Sequence, residues 1–286
     1  MLSSPLSRDV LDWVATSAGA AGARWSRRLV GGTHAVTDVV RTEDGRDLVL
    51  RRFPVGDSAV HRESRVLRAL GGLGGLVPSL VAVDCDGAQT GAPAILTTLL
   101  SGSACIVATN PSDFAAQLGR VLAHVHAQSP GRELPDVLTV PAAGLDPAIA
   151  DVLEAWARLS AGPRVLTHYD FWSGNTLWEG GRLSGVVDWS GAGLAPRGVD
   201  ISWARLDLFL LFDEDIADVF TSAYQRVAAT EISDLALWDL YAATNADSGI
   251  EGWAPNYQEL GRDDLGPPVL RQRLTEWMLL ARRRLH

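Results

Sequence analysis

Apolar positions along the first hundred residues change period, and the elements follow from where they do. Val10, Leu11 and Val14 recur at helical spacing, so residues 6–17 predict a short amphipathic helix. From Trp25 the period falls to two. Residues 27–30 lead into the pair Gly31-Gly32, residues 36–42 alternate, and Asp44-Gly45 marks a hairpin into a second alternating run, 47–53. On that strand Val49, Arg51 and Phe53 share one face, and Leu48, Leu50 and Arg52 the other. Residues 59–70 return to a helical pattern, closed by the glycines at Gly71 and Gly72, and strands follow near 79–83 and 94–100.

After Gly102 the pattern is largely helical. Ser112 is placed to cap a helix whose stripe is Phe114, Leu118, Val121, Leu122 and Val125. Further helices fit 148–159, 201–211, 215–228, 234–246 and 269–284, with no internal repeat and no low-complexity tract. A β-rich first third and a helical remainder predict an α+β chain in two lobes, 1–98 and 99–286.

Composition narrows the chemistry. The 286 residues carry 25 basic and 34 acidic side chains, and every basic one is arginine, because the chain has no lysine. A G-x-x-x-x-G-K-[ST] phosphate loop, a lysine Schiff base and a Ser-Lys nucleophile pair are therefore excluded. A hydrophobic content of 47% with 21% charged residues belongs to a soluble globular protein. The longest apolar run, 206–212, is far short of a membrane span and contains Asp207, and no secretory leader pattern opens the chain. Cys85 and Cys105 have no metal-ligand spacing and read as reduced, structural thiols, which with the missing leader predicts a cytoplasmic protein without a membrane partner.

The net charge of −9 is uneven: +1 over residues 1–100, −3 over 101–199 and −7 over 200–286. That balance argues against a nucleic-acid partner. The acidic final third either attracts a cationic small molecule or consists of solvated helix faces.

Candidate chemistry concentrates in residues 166–190, LTHYDFWSGNTLWEGGRLSGVVDWS. His168-x-Asp170 is followed by Asn175 five residues on and Asp188 thirteen beyond that. Residues 176–178 and 183–187 read as two short strands about Gly180-Gly181, a hairpin that returns Asp188 towards Asp170 and Asn175. Two carboxylates and a carboxamide form an oxygen-rich site suited to a hard cation such as Mg²⁺, with one carboxylate left to accept a proton from a hydroxyl. The plainer alternative is a set of polar side chains that cap turns.

This order of residues matches the catalytic loop of protein kinases. The strings HYDFWSGN and VVDWSGAGLAPRGVD are more similar still to the H-G-D-x-x-x-x-N and [IV]-D-W signature of the aminoglycoside phosphotransferase and choline kinase family. Upstream, Gly31-Gly32 resembles that family's nucleotide-covering loop, 47–52 its third strand, Arg62-Glu63-Ser64-Arg65-Val66-Leu67 its R-E-x-x-x-L helix, and 96–102 its hinge. Beyond about residue 210 no motif is recognisable. The resemblance implies a bilobal protein-kinase-like fold, with an antiparallel sheet and one helix in the first lobe and a mainly helical second lobe.

The resemblance also implies roles. Asp170 would orient or deprotonate an acceptor hydroxyl, Asn175 and Asp188 would hold Mg²⁺ on the phosphates of ATP (GTP remains open), and His168 and Asp200 would brace the loop. Gly31, Gly32 and Thr33 would cover the nucleotide, with His34 beside them, Val49 would roof the adenine, and Thr98 and Leu100 would offer backbone groups. The family's strand lysine is missing, and Arg51 takes its place because it shares a face with Val49; Glu63 would be its partner on the helix. A surface strand arginine and an ordinary two-glycine turn are the plainer alternatives. His124 and His126, two apart on a helix, read as ordinary helix residues and not as metal ligands.

Only eleven residues separate Asp188 from Asp200, too few for an activation segment, so the acceptor is expected to be a small molecule. An aminoglycoside-like cation is favoured, with Asp213, Asp215, Asp247, Glu251 and Trp253 as candidate contacts and Glu214, Asp263 and Asp264 near them. Trp238 and Tyr257 suit an apolar acceptor or plain core packing. Macrolide, choline-like, amino-alcohol and sugar acceptors stay open, in a monomer or weak homodimer. A nucleotide-binding pseudoenzyme is the alternative from another class, and the presence of Asp170, Asn175 and Asp188 together argues against it.

Overall fold

A computed structural model of the chain describes residues 6–29, 35–129, 134–141 and 147–285. Two compact units divide it, Met1–Ser101 and Gly102–His286.

The first unit opens with helix α1 (Arg8–Ala18), started by Ser7, whose hydroxyl accepts from the Val10 amide, and stopped by Gly19 in the left-handed conformation. Five antiparallel strands follow: β1 (Ala23–Arg28), β2 (Val36–Thr42), β3 (Asp47–Arg52), β4 (Leu80–Asp84) and β5 (Ala94–Thr98), in the order β1-β2-β3-β5-β4. Helix α2 (Ala59–Ala69) lies between β3 and β4 in the chain. Leu48 and Leu50 of β3 join Val40, Ala94 and Leu96 against Leu6, Val10 and Val14. Burial of that one face is what sets the register, since a one-residue slip would turn Val49 and Arg51 into this core. The glycines after α2 do not end the helical backbone at once; a 3-10 segment, Leu70–Leu76, carries the chain on and turns at Gly74, where φ is 56°.

The second unit holds β6 (Ser103–Ala104), α3 (Pro111–His126), α4 (Pro147–Ser160), β7 (Arg164–Thr167), β8 (Thr176–Glu179), β9 (Arg182–Val186), β10 (Gly193–Pro196) and then α5 (Gly198–Leu211), α6 (Glu214–Ala228), α7 (Leu235–Ala246), α8 (Ala254–Gln258) and α9 (Pro267–Arg283). Helix α3 is capped by Asn110, not by Ser112: Pro111 lacks an N–H and suits the first helical position, which moves the cap two residues earlier. Strands β7 and β10 are too short for alternation to reveal them. The β8–β9 hairpin turns on Gly180 and Gly181, both at positive φ.

Helix α5 is the axis of this unit, with every residue buried except Trp203. Its carboxyl end would leave bare carbonyls in an apolar surround. Arg273 donates to the carbonyls of Phe209, Leu210 and Phe212 at 3.0–3.1 Å, and Arg262 to that of Leu211 at 2.8 Å. Among the described residues no helix is long and apolar enough to cross a membrane.

Helices α3 and α6 pack backbone to backbone at Gly119. A methyl there would overlap the Phe220 carbonyl oxygen and lie 3.0 Å from the Tyr224 amide. Gly119→Ala is therefore expected to destabilise the fold by about 1–3 kcal/mol, the usual cost of overpacking, read from urea unfolding. An unchanged midpoint would show that the two helices separate without cost.

Candidate active site

Strands β7 and β10 pair through Leu166 with Leu194 and Thr167 with Gly193, so residues 168–192 form a loop closed at its base. Two cross-links fold the loop on itself. His168 Nε2 donates to the Val187 carbonyl at 2.9 Å, and the Val187 amide donates to the Asn175 carbonyl at 2.9 Å. A carbonyl can only accept, so the proton of His168 sits on Nε2.

Inside this frame Asp170 is held at both oxygens. Asn175 Nδ2 donates to Oδ2 at 3.0 Å, and Trp203 Nε1 donates to Oδ1 at 3.0 Å. Turning its Nδ2 to Asp170 leaves the Oδ1 of Asn175, the atom a hard cation takes, on the far side of the amide. Asp188 is in the left-handed region at φ 62°, and its Oδ1 accepts from the Ser190 hydroxyl at 2.8 Å. Burial raises the carboxyl of Asp170 above its ordinary value, and the charge of Asp188 adds to this; His168 nearby and the hydrogen bonds from Trp203 and Asn175 act against both. The structure thus brings Asp170, Asn175 and Asp188 into one neighbourhood.

One stripe of α5 carries the loop. Asp200 accepts from the His168 amide at 2.6 Å and the Tyr169 amide at 2.7 Å. Tyr169 has φ 71°, a conformation that costs a side-chain-bearing residue about 1–2 kcal/mol, so these two bonds hold a turn that would otherwise relax. Asp207 accepts from the Ser173 amide at 2.8 Å and its hydroxyl at 2.5 Å, and from Tyr257 Oη at 2.9 Å. Residues 200, 203 and 207 stand at i, i+3 and i+7, on one helix face.

Behind Asp200 runs a buried chain that motif reading passes over. His126 Nε2 donates to Asp200 at 3.1 Å, His126 Nδ1 accepts from Tyr224 Oη at 2.8 Å, and Tyr224 Oη accepts from Arg197 Nη1 at 3.0 Å. His126 is thus no ordinary helix residue. Its signal was position: it continues the i+4 stripe of Leu118 and Leu122, where a polar side chain must have a buried partner. Trp203 and Asp207 were legible only as steps of the same helical period from Asp200.

In the first unit the two consecutive arginines of β3 face opposite ways. Arg51 Nη1 meets Glu63 of α2 at 2.6 Å, with the two side chains 13% and 3% exposed, and its guanidinium lies 5.7 Å from the Phe53 ring centre. Arg52 pairs with the buried Asp38 at 3.2 Å, an acid that also takes Arg28 and the Trp25 indole N–H. Val49 is buried opposite Val39 and Thr97. Thr98 is less available than expected: its amide donates to the Ser79 carbonyl and its hydroxyl accepts from the Ser79 amide, while Leu100 lies past the end of β5. Gly31, Gly32, Thr33 and His34 lie outside the described residues.

The acidic acceptor candidates are largely engaged. Asp247 and Glu251 are both gripped by Arg271, which holds the Glu251 carboxyl down at about 2. Asp213 caps α6 by accepting from the Ile216 amide, Glu214 pairs with Arg284 and Asp264 with Arg262, while Asp215 is exposed. Trp253 packs edge-on against Trp203, with ring centres 5.2 Å apart, whereas Trp238 and Tyr257 are core. Among the described residues no three His, Cys, Asp or Glu side chains cluster as a metal site.

A model of the phosphotransferase enzyme family matches residues 26–239. Among curated protein sequences none matches. Solved structures share the fold. The macrolide 2′-phosphotransferase MphH of Brachybacterium faecium is 22% identical, with TM-score 0.61 over 91% of this chain and 97% of its own. Choline kinase LicA of Streptococcus pneumoniae is 18% identical, with TM-score 0.58 over 89% and 94%. Amicoumacin kinase hAmiN, solved with AMP-PNP, Ca²⁺ and amicoumacin, is 15% identical, with TM-score 0.56 over 87% and 88%.

The loop anchor gives a pH test. Burial pushes the Asp207 carboxyl up to about 6, against the hydrogen bonds it accepts from Ser173 and Tyr257. The folded chain holds this proton more tightly than the unfolded one, so the contribution of Asp207 to stability is full below about pH 3 and is lost as pH rises through about 6. Asp207→Asn should remove that dependence. Relative to the variant, the wild type should lose about 3 kcal/mol between pH 3 and pH 7 in urea unfolding, and parallel curves would contradict this.

Proposed function

This chain belongs to the phosphotransferase enzyme family; from that premise we propose that it is a small-molecule phosphotransferase that moves the γ-phosphoryl group of ATP to a hydroxyl of its acceptor. The observation that carries the reading is the Asp170 carboxylate, fixed at both oxygens beside Asn175 and Asp188 on a loop whose backbone Asp200 holds.

In this reading the acceptor hydroxyl donates to Asp170. As its oxygen attacks, the new O–P bond forms while the bond from phosphorus to the leaving oxygen of ADP breaks and its electron pair stays with ADP. The hydroxyl proton passes to Asp170. Little covalent chemistry falls to the protein, so positioning and charge do most of the work. Asn175 Oδ1 and the Asp188 carboxylate are hard oxygen donors and would hold a divalent ion, Mg²⁺ by preference. When bound, such an ion would supply positive charge at the site. His168 and Asp200 brace the loop.

Arg51 supplies a permanent cation where the family has lysine, and Glu63 keeps its guanidinium oriented. Val49 belongs with the adenine, Gly31, Gly32 and Thr33 with the phosphates, and the backbone past β5 near Leu100 with the base edge. A nucleotide-dependent enzyme of this kind works in the cytoplasm, where ATP is supplied, as a monomer or weak homodimer.

For the acceptor, the acidic balance of residues 200–286 favours an aminoglycoside-like cation. A second reading, an acceptor with an apolar face such as a macrolide, is favoured by Trp203 and Trp253 beside Asp170 and by the capture of Asp247 and Glu251 by Arg271. Choline-like, amino-alcohol and sugar acceptors share the same chemistry.

An ADP-release screen across these acceptors tests the reaction. Asp170→Ala should lower turnover by about 10²–10⁴, and activity that survives would remove Asp170 from the role of base. Wild type should melt higher with ATP and Mg²⁺, and Asp188→Ala should lose that shift. Arg51→Ala should lose most nucleotide-dependent stabilisation while Arg52→Ala keeps it, although both variants melt lower by leaving a buried acid short of its partner. Equal nucleotide responses would argue against the Arg51 assignment.

A further inference from the structure

We propose that Trp203 is a positioning residue for the transfer: its indole N–H holds the Asp170 carboxylate in the orientation that receives the acceptor hydroxyl. This rests on the phosphotransferase reading above and adds to it a residue that the motif does not contain.

A carboxylate is held still only by contacts at more than one point. An aspartate side chain has two rotatable bonds, and Asn175 alone, bonded at Oδ2, leaves the group free to swing about that contact. The Trp203 bond at 3.0 Å on Oδ1 is the second point, and two points fix the plane. Trp203 is itself located from both ends. Its backbone lies between Asp200 and Asp207 on α5, and those two acids tie the same loop at His168, Tyr169 and Ser173. Its ring is held by the edge of Trp253, 5.2 Å away at 64°. A shift of α5 against the loop would therefore break all three attachments together.

The chemistry of the donor decides the kind of role. An indole nitrogen has a hydrogen to give and no lone pair to accept with. Trp203 therefore cannot relay the proton that Asp170 takes up; it can only orient the acceptor of that proton. Trp203 is also the one residue of α5 that is not buried, so the helix spends its single open position beside the reacting carboxylate. A Trp of purely structural value would be served by a phenyl ring, and the tests separate these two cases.

In ¹⁵N-indole spectra, the Trp203 Nε1–H resonance, assigned by its absence in Trp203→Phe, should move upfield in Asp170→Asn, where the charged acceptor is gone. This readout needs no acceptor substrate. In turnover with an acceptor from the screen, Trp203→Phe should lower kcat about tenfold, the worth of one hydrogen bond to a charged group at a half-open site, with KM for ATP and for acceptor within about twofold. Its ATP-dependent thermal shift should match wild type and so show an intact fold. An indole resonance unmoved by Asp170→Asn, or a Trp203→Phe enzyme with wild-type kcat, overturns the proposal. If the resonance moves but wild type turns over no acceptor, the carboxylate clamp stands and the phosphotransferase reading fails.

Discussion

The second unit depends on one buried carboxylate that serves backbone amides. Asp200 accepts from His168 and Tyr169, and the turn it holds aims Asp170 at the place where chemistry is proposed. An ionised group at such a depth is tolerated only with its lone pairs occupied. Three donors occupy them: two amides and His126, and the last hands its other nitrogen to Tyr224 and so to Arg197. Buried charge is thereby linked to a half-buried guanidinium through neutral groups. The close crossing of α3 and α6 at Gly119 is what lets His126 and Tyr224 meet.

A chain without lysine answers every cationic need with arginine, and the second unit shows the consequence. Arg205 is wholly buried, bonded to Asp239, Asp218, Thr221 and the Ala217 carbonyl, with Arg284 sharing Asp239. Five donors in a rigid fork can satisfy several acceptors that a single ammonium would leave short. The carboxylates of the last third are consequently of two kinds. Glu214, Asp218, Asp239, Asp247, Glu251 and Asp264 face arginines, whereas others such as Asp215 and Asp263 are exposed to solvent. That distinction bears on the acceptor, because a polycation needs open carboxylates whereas an apolar acceptor needs aromatic surface, such as the half-buried pair Trp203 and Trp253.

In the first unit, adjacent arginines show how strand parity divides labour. Arg52 closes a buried cluster with Asp38, Arg28 and Trp25, while Arg51 turns to Glu63 on α2. The strand's leucines face α1, and Arg52, on their side of the strand, is neutralised at the margin of that core by Asp38, while Arg51 lies on the opposite face. One strand thus carries an anchor on one side and a proposed phosphate ligand on the other.

The sequence by itself determined the two-part α+β plan, nearly all the helices, the hairpins, and the loop that carries Asp170, Asn175 and Asp188. These follow from local rules: helical and strand periods, glycine turns, and a motif whose spacing is set within 21 residues of chain, from 168 to 188. Strand parity likewise predicted that Arg51 and Arg52 separate. Only the tertiary structure decided which distant side chains hold the loop. His126 lies 74 residues from Asp200, Ser173 lies 34 from Asp207, and Trp203 lies 33 from Asp170. It also decided that Arg271, from α9, would take Asp247 and Glu251. Such pairings depend on how helices cross, and crossing geometry is set by the packing of whole faces, which no local pattern of residues encodes.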